Sequence, residues 1–233
     1  MKPSKTRWGR PRQVFRPDRP LINAQIARMF VLFEDLRIES LAIEEESMPS
    51  LDILDPAAER DPNTVGAYRR HYFLLRSIGT IWEFAESLQI LSGGDLLKAG
   101  EDFRDVTRTF GKAELEKWSR ASLFFKNKEP RIKMIRNDIG GHFGSQAATY
   151  AVKRLKPDAS LRIEICDLGD RGKTDVRLHL AGELVATAFY RHVANEDIVG
   201  FGNLLDEIVK PSFIHANVCV RILAWRYVWP LLG

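Results

Sequence analysis

Cysteine is scarce: only Cys166 and Cys219 occur in 233 residues. They form no CxxC pair, and no Cys/His run has metal-ligand spacing, which argues against a disulfide scaffold or a zinc-stabilised fold. Two isolated thiols fit a reducing compartment, with both as buried apolar fillers. Long uninterrupted apolar runs are also lacking. Residues 212–233 come closest, but His215, Asn217, Arg221 and Arg226 break the run. A bilayer span tolerates such residues poorly, so the segment reads as a buried terminal helix. No apolar core of a signal peptide is present at the N-terminus. These absences together predict a cytoplasmic protein. There is no GxGxxG dinucleotide loop, no GxxxxGK[ST] phosphate loop, no HExxH and no GxSxG. No nucleotide cofactor and no metal is therefore implied.

Charge of one sign is scarce as well. The formal net charge is only +4, and the basic excess lies in residues 1–20. Lys2, Lys5, Arg7, Arg10, Arg12, Arg16 and Arg19 stand there against Asp18 alone. Proline and charge together predict a flexible basic arm. Trp8 and Phe15 within it are candidate stacking groups for RNA. The remaining chain, 21–233, is nearly neutral and long enough for one well-buried domain.

What the chain does have is helical periodicity. Ile22, Ile26, Met29, Phe30, Phe33 and Leu36 recur at three and four residues, predicting a helix over 21 to about 46. Residues 44–61 read as an acidic, proline-containing loop. Asn63 or Thr64 can cap a second long helix to about residue 91, with Tyr72, Leu75, Ile78, Ile81, Phe84 and Leu88 on its apolar face. A shorter helix over 95–110 follows, then one over 112–126 with Trp118, Leu123 and Phe124 as its buried side. Asn127-Lys128-Glu129-Pro130 predicts a break, with Pro130 in the first turn of the next helix. A further helical run is expected over 145–155.

From residue 156 the period changes to two. Leu161-Arg162-Ile163-Glu164-Ile165 and Asp175-Val176-Arg177-Leu178-His179-Leu180 alternate, and 184–190 is rich in β-formers. The expectation is a small antiparallel meander of about three strands over 161–191, followed by C-terminal helices divided at Pro211. The fold class expected is thus α+β, mainly α: an antiparallel helical bundle carrying an added β-meander.

One stretch carries chemistry: Ile135-Arg136-Asn137-Asp138-Ile139-Gly140-Gly141-His142-Phe143. Arginine grips phosphate through a planar fork of donors, and histidine moves a proton near neutral pH. On a continuous helix, residues six apart point about 120° from each other. Glycine tolerates positive φ, so a stop or kink after Ile139 would swing His142 back toward Arg136. Arg136-Asn137 followed by His142 resembles the Arg-x(4–6)-His signature of HEPN domains. The resemblance implies a small antiparallel helical bundle that dimerises, often as a ribonuclease toxin or phage-defence component. It also implies that each subunit brings an Arg-His pair to a shared cleft, and that an acidic residue of a neighbouring helix, such as Glu83, can approach it.

On that reading His142 is the general base, Arg136 stabilises charge on the phosphoryl group, and Asn137 orients His142 or the phosphate. Asp138 would fix the imidazole tautomer. The substrate would be RNA, the partners a second copy and an antitoxin or regulatory protein. The alternative is a non-catalytic binding or scaffold protein. There Arg136 pairs with Asp138 or another carboxylate and His142 belongs to a helix cap.

Overall fold

Ile22, Ile26, Met29, Leu32 and Leu36 are all buried, at helical spacing, and the helix they form, α1, spans Pro20–Glu45. In the computed structural model, the residues described are 15, 18–45, 63–140, 145–154, 163–167, 174–178, 184, 187–188 and 203–232. Most of the basic arm and of the acidic loop at 44–61 lies outside them. Helix α2 covers Asn63–Ser92. Short helices α3 (Gly94–Lys98) and α4 (Arg104–Thr107) lead to the long α5, Lys112–Ile135. Then come α6 (Ser145–Lys153) and, near the C-terminus, α7 (Lys210–Leu223).

The described chain is all-α, and the expectation of an α+β fold with a three-strand meander is overturned. Where its third strand was expected, the described residues Leu184, Thr187 and Ala188 are helical. Among the described residues only β1 (Ile163–Asp167) and β2 (Thr174–Leu178) pair, antiparallel, with Ile165 opposite Val176. A lone two-stranded ladder supplies no layer against which helices could pack. β-propensity follows packing context, and at Leu184, Thr187 and Ala188 it did not decide the backbone.

The chain divides into two compact units. One comprises Met1–Arg37, Thr80–Lys133 and Glu207–Gly233; the other comprises Ile38–Gly79 and Met134–Asp206. In the first, Ile22, Ile26 and Met29 of α1, Phe84 and Leu88 of α2, Phe125 and Ile132 of α5 and Cys219 and Leu223 of α7 are buried. The Phe84 and Phe125 rings lie 5.6 Å apart. In the second, the buried apolar groups include Leu74, Ile78, Ile135, Ile139, Ala147 and Ala151. On α5 the inward positions run Trp118, Ala121, Phe125, in steps of three and four. Leu123, expected inside, is 57% exposed, because it falls between those steps.

The start of α1 is secured from a distance. Pro20 has no N–H to leave unpaired. The next two donors, Leu21 N and Ile22 N, give to Glu101 Oε1 and Oε2 at 2.9 and 2.8 Å. Those donors belong to the four that a helix cannot satisfy itself, and a carboxylate there also meets the positive end of the helix dipole. Glu101 is buried. Glu101→Ala should therefore lower the unfolding free energy by about 1–3 kcal/mol, the cost of stranding buried donors. Urea titration would read this as a lower midpoint at unchanged slope. An unshifted midpoint would mean that water takes over the carboxylate's place.

A second carboxylate joins the start of α5 to the C-terminal segment. Glu114 Oε2 accepts from Gly111 N at 2.7 Å and from Arg226 Nε at 2.7 Å. The Arg226 hydrogen bond, then the backbone donor, hold the Glu114 carboxyl below its usual pKa. A depressed folded-state pKa adds stability above the unfolded carboxylate value, about 4.3, and that stability is lost as pH falls through the folded value. Glu114→Gln should thus be less stable than the parent at pH 7 and converge with it below about pH 4. Thermal melts across that range check it; a pH-independent gap would contradict the linkage.

Candidate functional site

α5 runs unbroken through Pro130, which lies inside the helix. The break expected at residues 127–130 does not form. Beyond Ile135 the helix widens into a π turn over Arg136–Gly140, and the stretch after it, where the stop or kink was expected to act, lies outside the described residues. Turns of this kind recur at functional sites, although two further ones occur here, at Leu205–Val209 and Ala224–Val228. Ile135 and Ile139 are buried and anchor the turn. Asn137 between them is exposed, with Arg136 and Asp138 half-buried on either side.

Arg136 Nη1 donates to Asn137 Oδ1 at 3.3 Å. Among the described residues, that amide oxygen is the partner recorded for the guanidinium, and no carboxylate lies within salt-bridge distance of it. The Arg136–Asp138 pair of the structural alternative is not formed. Asn137 thus bonds the fork without neutralising it, and among the described residues no carboxylate offsets the positive charge of this half-exposed turn. A planar cation so placed can take a phosphate oxygen pair in bidentate fashion. The structure brings Arg136 and Asn137 together; His142 lies outside the described residues, and so does the expected return of its imidazole toward Arg136.

Other candidates resolve differently. Glu83 is engaged by Arg28 at 3.3 Å, with Glu86 on the same guanidinium at 2.9 Å, so it is part of a clamp between α1 and α2. Cys219 is buried, and burial pushes its thiol far above the ordinary range, which makes it inert filler. His179 and the side chain of Cys166 lie outside the described residues. Among the described residues, no helix is long and apolar enough to cross a membrane. The chain matches no protein-family model, no curated protein and no solved structure.

The π turn itself left no trace in the sequence pattern, because α and π segments bury similar residue types. Its effect is testable. With Asn137 exposed and Arg136 bound, among the described residues, to its neighbour's amide alone, Arg136→Ala and Asn137→Ala should each move the unfolding free energy by less than about 0.5 kcal/mol. A loss well above that in denaturant titration would assign the pair a structural role instead.

Proposed function

We propose that the chain is a metal-independent endoribonuclease of HEPN type, acting in the cytoplasm as a toxin or phage-defence effector. The observation that carries this reading is the Arg136 guanidinium, oriented by Asn137 and unneutralised by any described carboxylate. A purely structural arginine on a helix would be expected to hold an acid. The identity of the neighbouring residues, with His142 six positions on, supplies the remaining group.

His142 removes the proton from a ribose 2′-hydroxyl, and the oxygen attacks the adjacent phosphorus. The P–O5′ bond breaks, leaving a 2′,3′-cyclic phosphate and a 5′-hydroxyl that takes up a proton. Arg136 stabilises the charge gathering on the non-bridging oxygens. Asn137 holds the fork in the plane needed for two parallel contacts. The base and the charge stabiliser are both side chains, so no cation takes part. A second copy of the chain would bring its own Arg-His pair to the cleft, and its His142 would serve as the acid for the leaving oxygen. A regulatory protein or antitoxin would hold the activity in check.

Purified protein should cleave single-stranded RNA in EDTA, giving 2′,3′-cyclic ends. His142→Ala should stop cleavage, and Arg136→Ala should slow it by roughly 10²–10³-fold. The rate should rise with pH through a midpoint near the free imidazole value, about 6.5, lower if Arg136 stands close. Light scattering should give a dimer at micromolar concentration. Cleavage that requires Mg²⁺, or that survives His142→Ala, overturns the mechanism. A folded protein that cleaves no RNA favours the scaffold reading.

A further inference from the structure

A surface helix of a globular protein carries one apolar stripe, and its opposite face is polar. α1 is apolar on two sides. Ile22, Ile26, Met29, Leu32 and Leu36 are buried. On the other side Val31 is 62%, Ile38 54% and Leu41 43% exposed. Ala24, exposed, and Ala27, half-buried, stand in line with them. At about 100° per residue, these five and Glu34 fall within an arc of about 100°, roughly opposite the buried series. A helix that is apolar all round is one buried on both sides, yet the second side of α1 is open to solvent.

The open stripe has a definite period. Ala24, Ala27, Val31, Glu34, Ile38 and Leu41 stand three, four, three, four and three residues apart. That is the narrow a/d spacing of a seam between two helices. It runs for roughly 26 Å at 1.5 Å per residue. Glu34, its one ionised member, accepts from Arg37 Nε at 2.9 Å, so its charge is balanced within the helix. The flanking arginines, Arg28 and Arg37, are both held by acids. The seam therefore lacks the free cationic rim of a helix that lies on an anionic bilayer.

We infer that this seam is the surface through which two copies of the chain dimerise, with their α1 helices antiparallel. Side-chain size decides both points. A two-fold axis passing midway between Leu32 and Phe33 sets Ala24 against the partner's Leu41, Ala27 against the partner's Ile38 and Val31 against the partner's Glu34. Each large side chain then meets a small one, and the helices keep an even separation. A parallel pair would set alanine on alanine at one end and leucine on leucine at the other, so the helices would splay. A stripe that complements itself under a two-fold axis is what an isologous dimer requires. Glu34 supplies a polar layer near the middle, which costs stability and fixes the register. The inference uses α1 alone and does not rest on the ribonuclease reading.

Sedimentation equilibrium of the full-length chain should show a reversible monomer–dimer equilibrium at micromolar concentration. Val31→Glu with Ile38→Glu places two charges in the seam and should weaken dimerisation at least about tenfold. Both positions are exposed in the monomer, so circular dichroism should not change; Val31→Ser with Ile38→Ser replaces the pair if it does. Direction is read by cross-linking. One chain carrying both Ala27→Cys and Ile38→Cys should give a disulfide-linked dimer on mild oxidation, and either substitution alone should not. The parent chain, oxidised alongside, accounts for Cys166 and Cys219. A monomeric parent overturns the inference, whatever else α1 then binds, and so does a dimer that the glutamates leave intact. Cross-linking through Ala27→Cys alone overturns the antiparallel arrangement. RNA cleavage that survives in a monomeric Val31→Glu, Ile38→Glu chain would remove the shared cleft and leave the seam. A dimer indifferent to those substitutions, yet cleaving RNA, would remove the seam and leave the ribonuclease.

Discussion

The first unit depends on how α1 begins, and α1 begins on the carboxylate of Glu101. Arg19, at the cap position, cannot accept the free amides of the first turn, so a residue eighty positions along does so with both oxygens. This fixes the first turn against the loop between α3 and α4. From there the buried series Ile22, Ile26 and Met29 follows in phase. Helix formation is costly only at its nucleus. A supplied acceptor at the first turn therefore sets the register of everything that packs behind it. The Arg28 contact with Glu83 and Glu86, one and a half turns further on, lies on the same helix and in that register.

The helices that build the core were legible where the apolar period was clean. Residues 21–46 and 63–91 were expected as helices, and α1 and α2 end within a residue or so of those limits. Legibility failed where local chemistry and tertiary context disagreed. Pro130 reads as a helix start, yet it sits inside α5: losing one N–H and crowding one carbonyl costs less than giving up the burial of Phe125 and Ile132 on one rod. Alternation around residues 161–180 gave a hairpin, but Leu184, Thr187 and Ala188, expected in a third strand, are helical. On α5 the inward phase was misjudged by two residues, with Leu123 in place of Phe125. The run Leu123-Phe124-Phe125 is apolar throughout and does not itself say which member faces in.

The candidate site was legible as residue types and not as geometry. Arg136, Asn137 and His142 stand out because arginine can grip a phosphate and histidine can move a proton. Nothing in the spacing announces a π turn, and nothing announces that Arg136 would find no acid among the described residues. That second fact matters more. Arg136 lies two residues from Asp138, yet its recorded partner is Asn137 Oδ1. An amide can direct a guanidinium but cannot cancel its charge, so the electrostatic capacity of the fork stays available to a ligand.

Tyr227 Oη donates to Asn23 Oδ1 at 2.6 Å, across 204 residues of sequence. The first unit is thus sewn from three separated pieces, and the piece holding Tyr227 is the last to be made. Loop closure over such distances is entropically slow, and synthesis proceeds residue by residue. During translation the buried face of α1 has Ile22, Ile26 and Met29 in place long before α7 exists to complete the unit. The nascent chain therefore carries that apolar face without its full cover until α7 emerges, and native packing of the first unit waits for that helix.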